Sequence, residues 1–116
     1  MKVLLVDDYD ATARTFQKLF AGAGHDAIVA NSAAQAIEAA KTFMPDVVIT
    51  DIMMPEMDGY DLAKALKEEH APQARIVGLS AYPSASQDSR SAYIDAHLQK
   101  PVAFRKLLAT ALGTEN

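Results

Sequence analysis

Carboxylates at Asp7, Asp8 and Asp51, the hydroxyl of Ser80 and the ammonium of Lys100 are far apart in the chain, yet each follows a short apolar run. The runs are Val3-Leu4-Leu5-Val6, Val47-Val48-Ile49-Thr50, Arg75 to Leu79, and the alternation of Ile94, Ala96 and Leu98. Stretches this short, rich in β-branched and aliphatic residues, read as strands, the first three covered on both faces of a parallel sheet. All strand C-termini of such a sheet lie along one edge, which is where open α/β sheets bind ligands. Each residue alone has an ordinary explanation: Asp7 or Asp8 as a helix N-cap or loop acid, Ser80 as a turn residue, Lys100 as a solvated lysine. Their joint placement on strand tips points to a site.

Carboxylates gathered in this way require a counter-charge. Two unit charges about 4 Å apart repel by about 4 kcal/mol at an effective dielectric near 20, so the cluster must protonate, pair with Lys100 or hold a metal. The chain has no Cys, and its His residues at 25, 70 and 97 lack metal-ligand spacing, so an all-oxygen donor set suits Mg²⁺ rather than zinc. A hard cation draws phosphoryl oxygens toward Asp51, and transfer of a phosphoryl group to a carboxylate needs little beyond alignment and charge neutralisation, which Lys100 and Ser80 can help supply.

The elements that must position these groups follow from periodicity. Phe16, Leu19, Phe20 and Ala23 predict an amphipathic helix from Ala11 to about Ala23, stopped by Gly24. Ala27 to Ala30 reads as a weaker strand with nothing reactive at its end. Ser32 and Gln35 resemble a capping box opening a helix through Phe43, which Met44-Pro45 ends. After Asp51, Pro55 and the turn pair Asp58-Gly59 dictate a loop, and a helix follows from Tyr60 to about Glu69. Residues 83 to 91 are nearly devoid of apolar anchors, so any helix there is short or weakly held. Val102 to Leu112 closes the chain with a helix before Gly113. Five strand–helix alternations with right-handed crossovers give an α/β fold, a doubly wound parallel sheet with helices on both faces.

The chain has 116 residues, hydrophobic content of 50% and net charge −4, which suits one globular domain spanning 1–116 and argues against nucleic acid, since Lys and Arg are dispersed. Met1-Lys2 precedes only four apolar residues before the aspartates, so neither a signal peptide nor a membrane span is expected, and the default is a cytoplasmic protein.

VDD at 6–8, DIMMPEMDG at 51–59, Ser80-Ala81 and KP at 100–101, in this order over essentially the whole chain, resemble a receiver domain of the two-component response regulator family. The resemblance implies a flavodoxin-like five-stranded sheet of order 2-1-3-4-5. It implies that Asp51 accepts a phosphoryl group from a histidine kinase or histidine phosphotransfer protein. Asp8, Asp51 and the Met53 backbone carbonyl would ligate Mg²⁺, with Asp7 acting through water. Lys100 would bind the phosphoryl oxygen, Ser80 would move toward it, and the Lys100-Pro101 bond would be cis. It implies a switch rather than an enzyme, limited to self-phosphorylation and slow self-dephosphorylation. Such a switch acts as a monomer or weak dimer through an unidentified downstream protein, without DNA or membrane.

Rival readings are a Mg²⁺-dependent phosphohydrolase, which would need residues for a cap that the chain does not have to spare, and a degenerate receiver used only for docking. Departures from the family pattern concentrate after Ser80. His97 stands where many receivers have Tyr or Phe, and is either an altered aromatic switch or an exposed imidazole on an edge strand. Tyr93 stands where a left-handed Gly is common, at a cost of about 1 kcal/mol if that backbone is kept. The interval from Ser80 to Lys100 is about two residues short of expectation, suggesting a reshaped fourth helix.

Overall fold

The computed structural model describes residues 1–81 and 89–114. Its elements are β1 (Lys2–Val6), α1 (Asp10–Gly22), β2 (Asp26–Ala30), α2 (Ala33–Phe43), β3 (Val47–Asp51), α3 (Gly59–Ala65), a π-helical turn (Leu66–His70), β4 (Arg75–Ser80), a 3₁₀ turn (Ser89–Tyr93), β5 (Ala96–Gln99) and α4 (Phe104–Leu112). The strands form one parallel sheet, as their pattern predicts, in the order β2-β1-β3-β4-β5 that the resemblance implies. β3 is buried at every position, which its unbroken Val-Val-Ile-Thr run requires of a central strand covered on both faces.

Two apolar layers sandwich the sheet. Phe20 of α1 and Leu107 and Ala111 of α4 pack with Val3, Leu5, Val47, Ile49 and Val77 on one face. Ala36 and Ala40 of α2 and Leu62, Ala63 and Leu66 of α3 and its extension pack with Leu4, Val6, Val48 and Ile76 on the other. Alternate residues of β1, β3 and β4 therefore feed opposite layers, which fixes the register and aims the strand ends.

Most helix ends fall where the sequence places them. Gly24 (φ 90) and Gly113 (φ 73) follow α1 and α4 in the left-handed region. Ser32 Oγ accepts from Gln35 N–H at 3.1 Å, while Gln35 Oε1 accepts from Asn31 N–H at 2.8 Å, one residue earlier than in a standard capping box. Asp58-Gly59 is not a free-standing turn pair: Asp58 is the N-cap of α3, its Oδ1 accepting from Asp61 N–H at 3.0 Å, and Gly59 is the first helical residue. Tyr93 does not adopt the left-handed backbone considered for it. It closes the 3₁₀ turn, and its hydroxyl donates to Glu68 Oε2 at 3.0 Å. Most of the stretch expected to hold a weak fourth helix, residues 82–88, lies outside the described residues, and with it most of the interval expected to be short.

Candidate functional site

β1, β3, β4 and β5 bring the expected groups to one edge. Carboxylate oxygens of Asp7, Asp8 and Asp51 lie within 4.8 Å of one another. Lys100 Nζ is 3.1 Å from Asp51 Oδ2. Asp51 is buried, at 8% exposure, because it is the last residue of the central strand and Ile52 and Gly59 close over its backbone. Ser80, also buried, stands one residue past Leu79, the register partner of Asp51, and its carbonyl accepts from Lys100 N–H at 2.7 Å. The Lys100-Pro101 peptide is cis. Met53 lies in the loop two residues beyond Asp51 with its side chain turned to solvent.

The electrostatics are asymmetric. Burial raises the Asp7 carboxyl above the usual carboxylate range, opposed by the Tyr9 N–H and by Lys100 and reinforced by Asp51 and Asp8. Tyr9 N–H donates to Asp7 Oδ1 at 2.9 Å. Among the described residues one ammonium thus faces three carboxylates, and the all-oxygen set fits a hard divalent cation better than a soft one. A groove of about 510 Å³ opens beside Lys100, walled by Phe16, Leu79, Pro101 and Val102.

His97 is on the edge strand but is not an exposed imidazole. It is half-buried, its ring centroid 6.3 Å from that of Tyr60, and burial lowers its pKa. Its buried Nε2 has no hydrogen-bond partner among the described residues.

Two contributors were not read from the sequence as such. Gly59 appears there as a turn residue, but a Cβ at this position would sit 2.5 Å from the Asp51 carbonyl oxygen and 2.8 Å from Ile52 Cα. Only glycine lets α3 begin against the Asp51 backbone. Asn31, just past the β2 end that seemed chemically empty, donates from Nδ2 to the Asp7 carbonyl at 3.0 Å.

A family model described as the response regulator receiver domain matches residues 3–112. The chain belongs to that family. Sensory/regulatory protein RpfC of Xanthomonas campestris pv. campestris is 37% identical over 115 residues, covering 95% of this chain but only 16% of RpfC. The polar-differentiation response regulator DivK of Brucella ovis is 25% identical over 114 residues, covering 93% of this chain and 90% of DivK. Among solved structures, Vibrio cholerae chemotaxis protein CheY4 superposes with a TM-score of 0.88 at 26% identity, covering 98% of both chains. The receiver domain is accordingly a regulatory element of two-component signalling, in which phosphorylation operates the switch. Among the described residues no helix is long and apolar enough to cross a membrane.

Proposed function

We propose that Asp51 is the phosphoacceptor of this switch and that residues 1–116 work as one receiver unit. The observation that carries the reading is the buried Asp51 carboxylate at the tip of β3, with Lys100 Nζ at 3.1 Å and the Asp7 and Asp8 carboxylates within 4.8 Å. The donor is a phosphohistidine on a histidine kinase or histidine phosphotransfer protein. An Asp51 oxygen forms the new bond to phosphorus, the phosphorus–nitrogen bond breaks, and the imidazole leaves with its electron pair. Lys100, already paired with Asp51, meets the incoming phosphoryl oxygens and offsets their charge. Ser80 supplies a hydroxyl to them from the adjacent strand end. Asp8, Asp51 and the Met53 carbonyl would hold Mg²⁺, with Asp7 contributing through water, and such an ion would supply positive charge beside the carboxylates and the phosphoryl oxygens.

The groove beside Lys100 gives a donor protein an apolar seat next to the acceptor. The protein acts in the cytoplasm as a monomer or weak dimer through a downstream protein. It turns over no external substrate, its only chemistry being slow self-phosphorylation from small donors and slow loss of its own phosphate. Incubation with a small acyl phosphate and Mg²⁺ should give about one acid-stable, base-labile phosphate per chain. Labelling of Asp51→Asn equal to that of wild type would refute the acceptor assignment. Sustained release of phosphate from an added ester would instead favour a phosphohydrolase.

A further inference from the structure

Asn31 connects the capped start of α2 to the acidic loop. Its amide Nδ2 donates to the Asp7 carbonyl at 3.0 Å. That carbonyl belongs to the planar peptide joining Asp7 to Asp8, so this bond orients the plane from which the Asp8 side chain departs. Asp7 has further restraints: its N–H donates to the Ala30 carbonyl at 3.1 Å, and its carboxylate accepts from Tyr9 N–H. Asp8 is exposed, and its carboxylate takes no hydrogen bond from the described residues. The direction of Asp8 therefore depends on its backbone, and the backbone on Asn31.

Asn31 is itself fixed. Its N–H donates to Gln35 Oε1 at 2.8 Å, and Gln35 N–H donates to Ser32 Oγ at 3.1 Å. These bonds tie the residue to the first turn of α2, just past β2, the strand on the far side of β1 from β3 and Asp51. The amide thus reaches the peptide between the two acidic residues.

We propose that Asn31 is a positioning residue for the divalent-cation site, holding the Asp7–Asp8 peptide so that the Asp8 carboxylate is aimed at Asp51 before the ion arrives. This rests on the cation site of the proposed function and adds to it a residue from the one strand end without a reactive group. Groups that orient metal ligands typically change affinity by about 10–100-fold when removed. Asn31 acts on one ligand through its backbone, so the lower end of that range, about 10-fold, is expected.

Calorimetric titration of the full chain with Mg²⁺ and with Mn²⁺ tests this in wild type, Asn31→Ala, Asn31→Leu and Gln35→Ala. Both Asn31 variants should bind each ion about 10-fold more weakly. The Mg²⁺ concentration giving half-maximal labelling by acetyl phosphate should rise in step, and the labelling rate should recover at saturating Mg²⁺. Gln35→Ala removes one restraint on the Asn31 backbone but keeps the amide donor itself, so it should lower the melting temperature and weaken Mg²⁺ binding by less than the Asn31 variants do. Asn31 variants that bind within twofold of wild type, or a Gln35→Ala loss as large as theirs, would overturn the role given to the amide. Asn31→Leu, close to asparagine in size, decides the matter by the same criteria if Asn31→Ala does not fold. Wild-type protein that bound neither ion would remove the cation site itself, and with it this inference.

Discussion

At the scale of single residues, Asp7 is a buried carboxylate whose protonated form the fold favours. Burial is the main cause, with Asp51 and Asp8 adding repulsion against the pull of the Tyr9 N–H and Lys100. Because its folded pKa is raised, the stability linked to Asp7 is complete below the unfolded value near 3.9 and is lost as pH rises through the folded value. At neutral pH the ionised group costs stability unless a cation sits beside it. Asp7→Asn should therefore raise the melting temperature of the cation-free protein by a few degrees, where about 1 kcal/mol corresponds to about 4 °C at this size, while weakening Mg²⁺ binding. A cation-free melting temperature below wild type would show that ionised Asp7 supports the fold. Gly59 has the opposite character, since its missing Cβ is what the fold needs. The atoms in the way are backbone, so Gly59→Ala should lower stability by about 2–3 kcal/mol, read from urea unfolding, with loss of labelling at Asp51.

His97 titrates in the other direction. Burial lowers its pKa, so its contribution to stability is present above the unfolded value near 6.5 and is lost as pH falls through the folded one. Thermal unfolding between pH 8 and pH 5 should show wild type losing more stability than His97→Phe, which keeps a ring against Tyr60 without a titrating group. Parallel profiles would mean that the imidazole is solvated in both states.

At the scale of elements, α3 runs directly into the π turn 66–70, closed by Ala71 N–H donating to the Leu66 carbonyl at 2.7 Å. This turn presents Lys67 to Asp95, 2.8 Å away, and Glu68 to the Tyr93 hydroxyl. Asp95 also accepts from Ile76 N–H at 2.7 Å. Burial pushes the Asp95 carboxyl up, but Lys67 and the Ile76 N–H outweigh it and hold it below the usual range. Asp95→Ala should cost about 1–2 kcal/mol in urea unfolding, because it strips a partner from a β4 amide. Tyr93→Phe should cost under about 0.5 kcal/mol, since it removes one exposed contact. Equal losses would mean that the Lys67 and Tyr93 contacts, rather than the Ile76 amide, carry the junction.

This junction also marks where the sequence stops being legible. β3 and its acidic tip were readable because a β-branched run of that length has few alternatives, and α2 because Ser32 and Gln35 announce its cap. The π turn has no such signature, since Leu-Lys-Glu-Glu-His fits an ordinary helix equally well. Nothing in its type or spacing marks Glu56, which takes a left-handed backbone at φ 67 in the loop beyond Asp51. The reactive groups could be found by spacing because the parallel sheet converts sequence order into position along one edge. Asn31 and Gly59 could not, because one acts through a distant carbonyl and the other through space it leaves empty.

At the scale of the whole molecule, the sheet holds two apolar layers apart, and the edge bearing Asp51 gathers three carboxylates and an ammonium across its strand ends. The chain carries net charge −4, and a phosphoryl group on Asp51, as proposed, would add about −1.5 to −2 more to a cluster of three carboxylates that has one ammonium in contact among the described residues. On the proposed reading, cation binding and phosphorylation would support each other, the ion offsetting the repulsion an incoming phosphoryl group meets and the phosphoryl group adding negative charge that draws the ion. The same linkage acts on folding, because unfolding disperses the three carboxylates. An ion that binds only the folded chain, present at about 100 times its dissociation constant, stabilises it by about 2.7 kcal/mol, or about 10 °C in melting temperature at this size. Mg²⁺ should raise the thermal midpoint by about that amount, and a chelator should return it to the cation-free value. Asp8→Ala removes one acid from the cluster and should cut the Mg²⁺-dependent rise by at least half. A full rise in that variant would place the bound ion elsewhere on the molecule and separate it from the chemistry of Asp51.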